Sequence, residues 1–329
     1  MNENVPAEER SNPAPKVELP PGLAEMAEHS SEFVLRDEHL RTRKRRKMLP
    51  IVLFLLTCIS TFWAGALGWP LEPRFSWSYQ LQAVFSHPGR GLIYMVCVLA
   101  ILFAHEMGHF IATIVHRVPA SLPFFIPFPL NPMGTMGAVI AMDGRRGNRR
   151  QVFDIGIAGP LAGLVFAIPI LMYGVWELDV SREFYGPAVD SPILVDMLIG
   201  LKQDTTHYDG SIALGQLNAY FMAGWVGLLI TGLNMMPVSQ LDGGHVIYTL
   251  FGRRKALFIG RAFVFVAIAL IVSYSAFIWM IMLLLVILIG TDHPPTRNDH
   301  MPLGPVRTAI GLASLVIPVL CFPPYLFVR

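Results

Sequence analysis

Charge is what this sequence has least of. Only 15% of its 329 residues are Asp, Glu, Lys or Arg, where a soluble domain carries about 25%. That shortage argues against two soluble domains, the organisation the length would otherwise allow. Net charge is only +2, so the sum says little about partners, and no nucleic-acid partner is expected. Cysteine is scarce too. Cys58, Cys97 and Cys321 each sit in an apolar segment, with no spacing that suggests a metal knuckle or a disulfide framework. The first forty residues lack an early apolar run and the Arg/Ser-rich, acid-poor make-up of a transit peptide. They read as a mostly disordered arm with a short helix near "LAEMAEHSSEFVLRDEHL". Without an organelle signal, a bacterial inner membrane is the expected location.

What is abundant is apolar surface: 53% hydrophobic residues and a mean hydropathy of +0.52. One multi-spanning membrane protein is the expected class. A bilayer core of about 30 Å needs roughly 20 apolar residues per helix. Seven spans follow, at about 49–69, 91–115, 152–176, 214–236, two within 256–290 divided near Ser273-Tyr274-Ser275, and 306–327, the last weakened by Pro318, Pro323 and Pro324. The basic clusters "RTRKRRK" (41–47), "GRRGNRR" (144–150) and "GRRK" (252–255) then fall on one side, read as the cytoplasm. The opposite loop, 177–213, carries Glu177, Asp179, Glu183, Asp190, Asp196, Asp204 and Asp209 against Arg182 and Lys202. The expected organisation is a cytoplasmic arm over 1–48, ending in a basic cluster, and a transmembrane domain over 49–329 with its core at 90–300.

Residues 118–143 fit no helix, because prolines at 119, 123, 127, 129 and 132 exclude one. "GTMGAVIAM" reads as a short strand after a glycine turn. Non-helical backbone at membrane depth is tolerated only when it is buried in protein or lines a wet cavity. The expected fold is therefore all-α and polytopic, with about seven transmembrane helices and a small re-entrant β-hairpin. There is no internal repeat, and Gly159 and Gly163 form a GxxxG, a weak signal for close helix packing.

The segment "FAHEMGHFIA" (103–112) sets three ionisable side chains in an apolar run. His105 and His109 are four apart and share a helix face. Their imidazoles can converge on one metal, with Glu106 in reach of water there, which is the physical content of H-E-x-x-H. Ionisable groups inside a membrane are expensive and mark function. A catalytic zinc takes three protein ligands and keeps one open position. Asp242, in "LNMMPVSQLDGGH", is favoured as the third ligand. Helix four is expected to end at Pro237, with Asp242 in a Gly-Gly turn that lets backbone approach closely. Asp154 competes, but an ion pair with Arg150 would explain it. His245 reads as a group behind the ligands or the end of the turn. His116, His207, His293 and His300 show no partner pattern.

HEMGH followed by Asn234, Pro237, Leu241, Asp242, Gly243 and Gly244 in the pattern N-x-x-P-x-x-x-L-D-G-G resembles the site-2 protease family of intramembrane zinc metalloproteases. "GTMGA", "GIAGPLAG", "PFFIPFPL" and "DHPPT" are similar to the branch related to plant plastid members, and the resemblance spans roughly 90–300. It implies one zinc per chain on His105, His109 and Asp242, with Glu106 as general base. Asn234 would donate to the substrate carbonyl or developing oxyanion; its alternative is a helix-packing amide. Substrates would be transmembrane segments of single-pass proteins, met within the lipid bilayer, and cleavage would release a cytoplasmic domain. Residues Gly134, Thr135, Met136, Gly137 and Ala138 would hold the unwound substrate at a strand edge; a structural plug is the alternative.

One departure from the family matters. Many members carry a PDZ domain between the half-motifs, and the loop 177–213 is too short for one. Its "SPILVDMLIGL" suits an interfacial amphipathic helix. The competing class is a catalytically silent binder or chaperone of the same fold, against which the intact site residues speak. A metal transporter would need ionisable groups along several helices, and helices one, six and seven offer none at mid-depth. An H-E-x-x-H enzyme that trims lipidated C-termini would need a later Glu ligand, and no Glu follows Glu183.

Overall fold

A computed structural model of the chain describes residues 48–69, 76–129, 131–142, 144–179, 188–202, 208, 210–238, 240–273, 279–280, 283–284, 292–322 and 327–328. The expected arm and the second half of the 256–290 run lie almost wholly outside the described residues. In chain order the helices are α1 (Met48–Leu67), α2 (Trp77–Ser86), α3 (Pro88–Val115), α4 (Arg149–Glu177), α5 (Ile193–Ile199), α6 (Ala219–Asn234), α7 (Asp242–Phe251), α8 (Arg253–Ser273), α9 (Pro305–Ser314) and α10 (Ile317–Cys321). The strands are β1 (Phe124–Pro127), β2 (Thr135–Val139), β3 (Ala188–Asp190), β4 (Ser211–Ala213) and β5 (Phe327–Val328).

Four helices, α1, α3, α4 and α8, are long and apolar enough to cross a membrane. Seven spans are not confirmed among the described residues. α6 has 16 residues, a rise of about 24 Å, short of the bilayer core. The seventh stretch is in two pieces: α9 ends at Ser314 and α10 starts at Ile317, with Pro318 in its first turn. Proline lacks the N–H that would continue a helix through that point. The outward face of α8 is apolar, with Phe258 and Phe265 73% and 72% exposed. Such a face suits lipid rather than water, and the chain is an integral membrane protein.

The core forms where α3, α4 and α6 pack on one another, around Tyr94, Ile101, Leu171, Phe221, Trp225 and Leu228. α4 starts at a capping box, in which the Asn148 side chain accepts from Gln151 N while Gln151 Oε1 accepts from Asn148 N. It also carries Pro160 and Pro169 internally, which is tolerated when neighbouring helices satisfy the freed carbonyls.

The hairpin expected at 118–143 is present. β1 and β2 pair antiparallel, Phe125 opposite Ala138, with an irregularity before Pro127. Tyr94 of α3 donates to Met133 O at 2.9 Å, and Phe125 meets Phe54 of α1 edge-on at 5.1 Å. At Gly134 the chain needs glycine twice over: φ is +77°, and a β-carbon would lie 2.5 Å from Ser60 O. The hairpin is thus docked against α1 and α3. Opposite it in sequence, β4, β3 and β5 form a separate antiparallel sheet that ties the C-terminal residues to the 188–213 segment.

Candidate metal centre

His105 and His109 lie on one face of α3, as their spacing requires, and Asp242 comes in from α7. His105 Nε2 is 3.2 Å from His109 Nε2 and 3.2 Å from Asp242 Oδ2. His109 Nε2 is 3.3 Å from Asp242 Oδ1. Two atoms each bound about 2.0–2.1 Å from a tetrahedral zinc lie roughly 3.3 Å apart, so each of these separations suits a pair of donors to one zinc, the two to Asp242 being made by its two different oxygens. Hydrogen bonding from a neutral His109 leaves one contact unexplained, Nε2 against Asp242 Oδ1. His109 Nδ1 is 2.7 Å from Ile155 O, and a carbonyl only accepts, so Nδ1 carries the proton. In the neutral ring Nε2 is then a lone pair, aimed at another ring nitrogen and a carboxylate. A ligating histidine usually gives its second N–H to a carbonyl in this way. The residues therefore fit the metal.

Glu106 is 3% exposed, and its Oε2 has no hydrogen-bond partner among the described residues. A buried carboxylate oxygen left unpaired is costly, and suits a group that awaits a ligand. Asn234, the last residue of α6, sets its Nδ2 3.3 Å from His105 Nε2. The hairpin stands one turn away: Gly137 faces Ile230 of α6, four residues before Asn234 on the same helix face.

Glycines in α4 make room for the histidines. A β-carbon on Gly159 would lie 2.0 Å from His109 Nε2, one on Gly163 3.1 Å from His105 Nδ1, and one on Gly156 2.9 Å from His245 Cβ. The GxxxG signal is thus a packing surface for imidazoles.

A model of peptidase family M50 matches residues 93–274, more than half of the chain. The chain belongs to peptidase family M50. It is 30% identical over 233 residues to "Probable zinc metalloprotease EGY1, chloroplastic" of Arabidopsis thaliana, covering 69% of this chain and 42% of that protein. The EGY1 of Oryza sativa subsp. japonica is 31% identical, covering 69% and 39%. "Probable zinc metalloprotease EGY2, chloroplastic" of Arabidopsis thaliana is 25% identical, covering 69% and 40%. This chain therefore spans about two-fifths of the length of these curated relatives. Their names place them in chloroplasts and lend no support to a bacterial inner membrane. No solved structure matches. As an M50 member with relatives named as zinc metalloproteases, the chain has a possible zinc site in His105, His109 and Asp242.

Three local expectations need correcting. Asp242 is not in a turn but opens α7, and Gly243 and Gly244 belong to that helix's first turn. Close approach is still the reason for glycine: a β-carbon on Gly243 would lie 2.0 Å from Met235 O. Asp154 pairs not with Arg150 but with Arg307, through Nε at 2.7 Å and Nη2 at 2.9 Å, and with His116 at 3.0 Å. Arg150 Nε instead donates to Pro302 O. His293, for which the sequence shows no partner, is buried, with Nε2 2.6 Å from His245 Nδ1. Burial, and then the neighbouring His293, push His245 down to about 3, and burial also lowers His293. Both rings are neutral near pH 7. No local spacing in the sequence links His245 to His293, 48 residues further on.

Proposed function

We propose that the chain is an intramembrane zinc endopeptidase that cleaves transmembrane segments of single-pass membrane proteins, as in regulated intramembrane proteolysis. The observation that carries this reading is the convergence of His105, His109 and Asp242, with Nε2–Nε2 and Nε2–carboxylate distances of 3.2–3.3 Å. Its counterpart is the unpaired Oε2 of Glu106. His105 and His109 would hold zinc through Nε2, and Asp242 through its carboxylate. Zinc supplies Lewis acidity when bound, polarising a peptide carbonyl and ionising water near neutral pH. Glu106 takes the proton of the attacking water and hands it to the leaving amine. Asn234 offers an amide N–H to the oxyanion that develops on the scissile carbonyl. A helical substrate hides its amides and must unwind first. The edge of β2 that does not face β1, with Gly134, Thr135, Met136, Gly137 and Ala138, holds the unwound stretch as an added strand.

In the same reading, residues 49–329 form the protease domain and 1–48 an arm on the cytoplasmic side. The basic cluster before α1 and that before α4 are separated by two long apolar helices, α1 and α3, which returns the chain to one side.

The test is cleavage of a panel of single-pass substrates by purified protein in liposomes. Glu106→Gln is expected to keep its zinc and lose about 10²–10⁴-fold in rate, the usual worth of a positioned general base. Chelation should abolish cleavage in the wild type. A wild-type protein that binds zinc and cuts nothing would favour a silent binder.

A further inference from the structure

The segment after α8 returns to the site. Residues 292–304 cross from α7 to the start of α4 as a strap bonded at both ends. At α4, Arg297 N donates to Gly147 O at 2.8 Å, Arg149 N to Asn298 O at 3.4 Å, and Arg149 Nη1 to Asp299 O at 3.3 Å. Arg149 also donates from Nε and Nη2 to Thr249 O and Leu250 O, near the end of α7. At α7, Tyr248 stacks on His293 with ring centres 4.0 Å apart and donates to Asp299 Oδ2 at 2.9 Å.

The His245–His293 contact has a readable polarity. His293 Nδ1 lies 2.6 Å from Pro294 O. That carbonyl accepts only, so Nδ1 holds the proton and the neutral ring's Nε2 is a lone pair. His245 Nδ1, 2.6 Å away, must therefore be the donor. The chain of bonds runs one way: His245 Nδ1–H to His293 Nε2, then His293 Nδ1–H to Pro294 O. His245 sits three residues after Asp242 on α7, and both border Gly156: a β-carbon there would lie 2.9 Å from His245 Cβ and 3.7 Å from Asp242 O. A bond fixing the rotation of His245 also fixes the first turn of α7, where the carboxylate lies.

We propose that His293 is a positioning residue of the metal centre: by accepting from His245 Nδ1–H it sets the rotation of α7, and so the aim of the Asp242 carboxylate at His105 and His109. The residue lies outside 93–274, the part of the chain that the family model matches. The inference rests on the zinc reading above.

The test compares full-length wild type with His293→Gln and His293→Met in detergent. Zinc affinity is read by chelator competition, and ligand geometry by the visible spectrum of the cobalt(II)-loaded protein. Methionine keeps the bulk but offers only a weakly accepting thioether sulfur; glutamine reaches the same place with the stronger acceptor Oε1. Met is expected to weaken zinc at least 10-fold, the low end for residues behind a ligand, and to shift the cobalt bands. Gln should restore both. His245→Asn, whose Nδ2 takes the place of Nδ1, should likewise hold zinc better than His245→Leu, and this pair decides the matter if the position-293 variants do not fold. Wild-type affinity and spectrum in the Met variant, or equal loss in Met and Gln, would overturn the proposal. A wild type that binds no zinc would instead overturn the functional reading beneath it.

Discussion

The imidazole of His109 occupies the space that a side chain on Gly159 would need: a β-carbon there would stand 2.0 Å from Nε2. The ring cannot yield without losing its bond to Ile155 O and its place beside His105. Gly159→Ala is therefore expected to empty the site, beyond the usual overpacking penalty of about 1–3 kcal/mol. Gly163→Ala meets His105 Nδ1 at 3.1 Å and should be milder. Zinc per chain, measured by atomic emission on both variants, checks this order. Full zinc in Gly159→Ala would mean that the ring can hold metal from another position.

Two carboxylates competed for the role of third ligand, and their surroundings separate them. Asp242 faces both imidazoles, while Asp154 is held by Arg307 and His116. Asp242→Ala should reduce zinc to substoichiometric levels. Asp154→Asn should leave it intact. Equilibrium dialysis with radioactive zinc distinguishes them, and the opposite ranking would remove Asp242 from the site.

Arg307 contributes to stability rather than to chemistry. Its two bonds to Asp154 join α9 to α4 in the bidentate form that gives ion pairs their best geometry. The Arg307 side chain is 37% exposed, so water screens the pair and its worth is about 1 kcal/mol. Arg307→Met is expected to lower the thermal midpoint by a few degrees, read by tryptophan fluorescence in detergent, with zinc content unchanged.

How far the sequence could be read depended on distance along the chain. His105 and His109 are four apart, and helical periodicity alone puts them on one face. Asp242 is a candidate third ligand by elimination, since acids in apolar segments are few, but its place at the start of α7 does not show in the sequence. Two glycines suggested a turn, but Gly243 is there so that α7 can start against the carbonyl of Met235. Asp154 and Arg307 are 153 residues apart, and His245 and His293 are 48 apart. Nothing in local spacing links such pairs. The prolines of the seventh stretch were legible as a weakness, and the helix there is in two pieces, with Pro318 in the first turn of the second.

The hairpin gives the sharpest separation of substrate binding from metal binding. β2 is bonded to β1 on one edge, and Thr135 Oγ1 turns inward to Ile126 O at 2.9 Å while accepting from Gly137 N at 3.0 Å. That local loop of bonds holds Gly137 at φ +98°, where an L side chain is strained by about 1–2 kcal/mol. Space is not the difficulty, since the nearest atom to a β-carbon is Ile230 Cγ2 at 3.7 Å. Gly137→Ala should therefore bend the strand edge without disturbing His105, His109 or Asp242. The expected result is a rise in KM for a transmembrane substrate with zinc affinity unchanged. Gly134→Ala is a different case, because its β-carbon would meet Ser60 O at 2.5 Å and push the hairpin off α1. It should lower thermal stability as well as cleavage. If Gly137→Ala cleaves with the wild-type KM, the strand edge does not hold the substrate, and the hairpin is a structural plug.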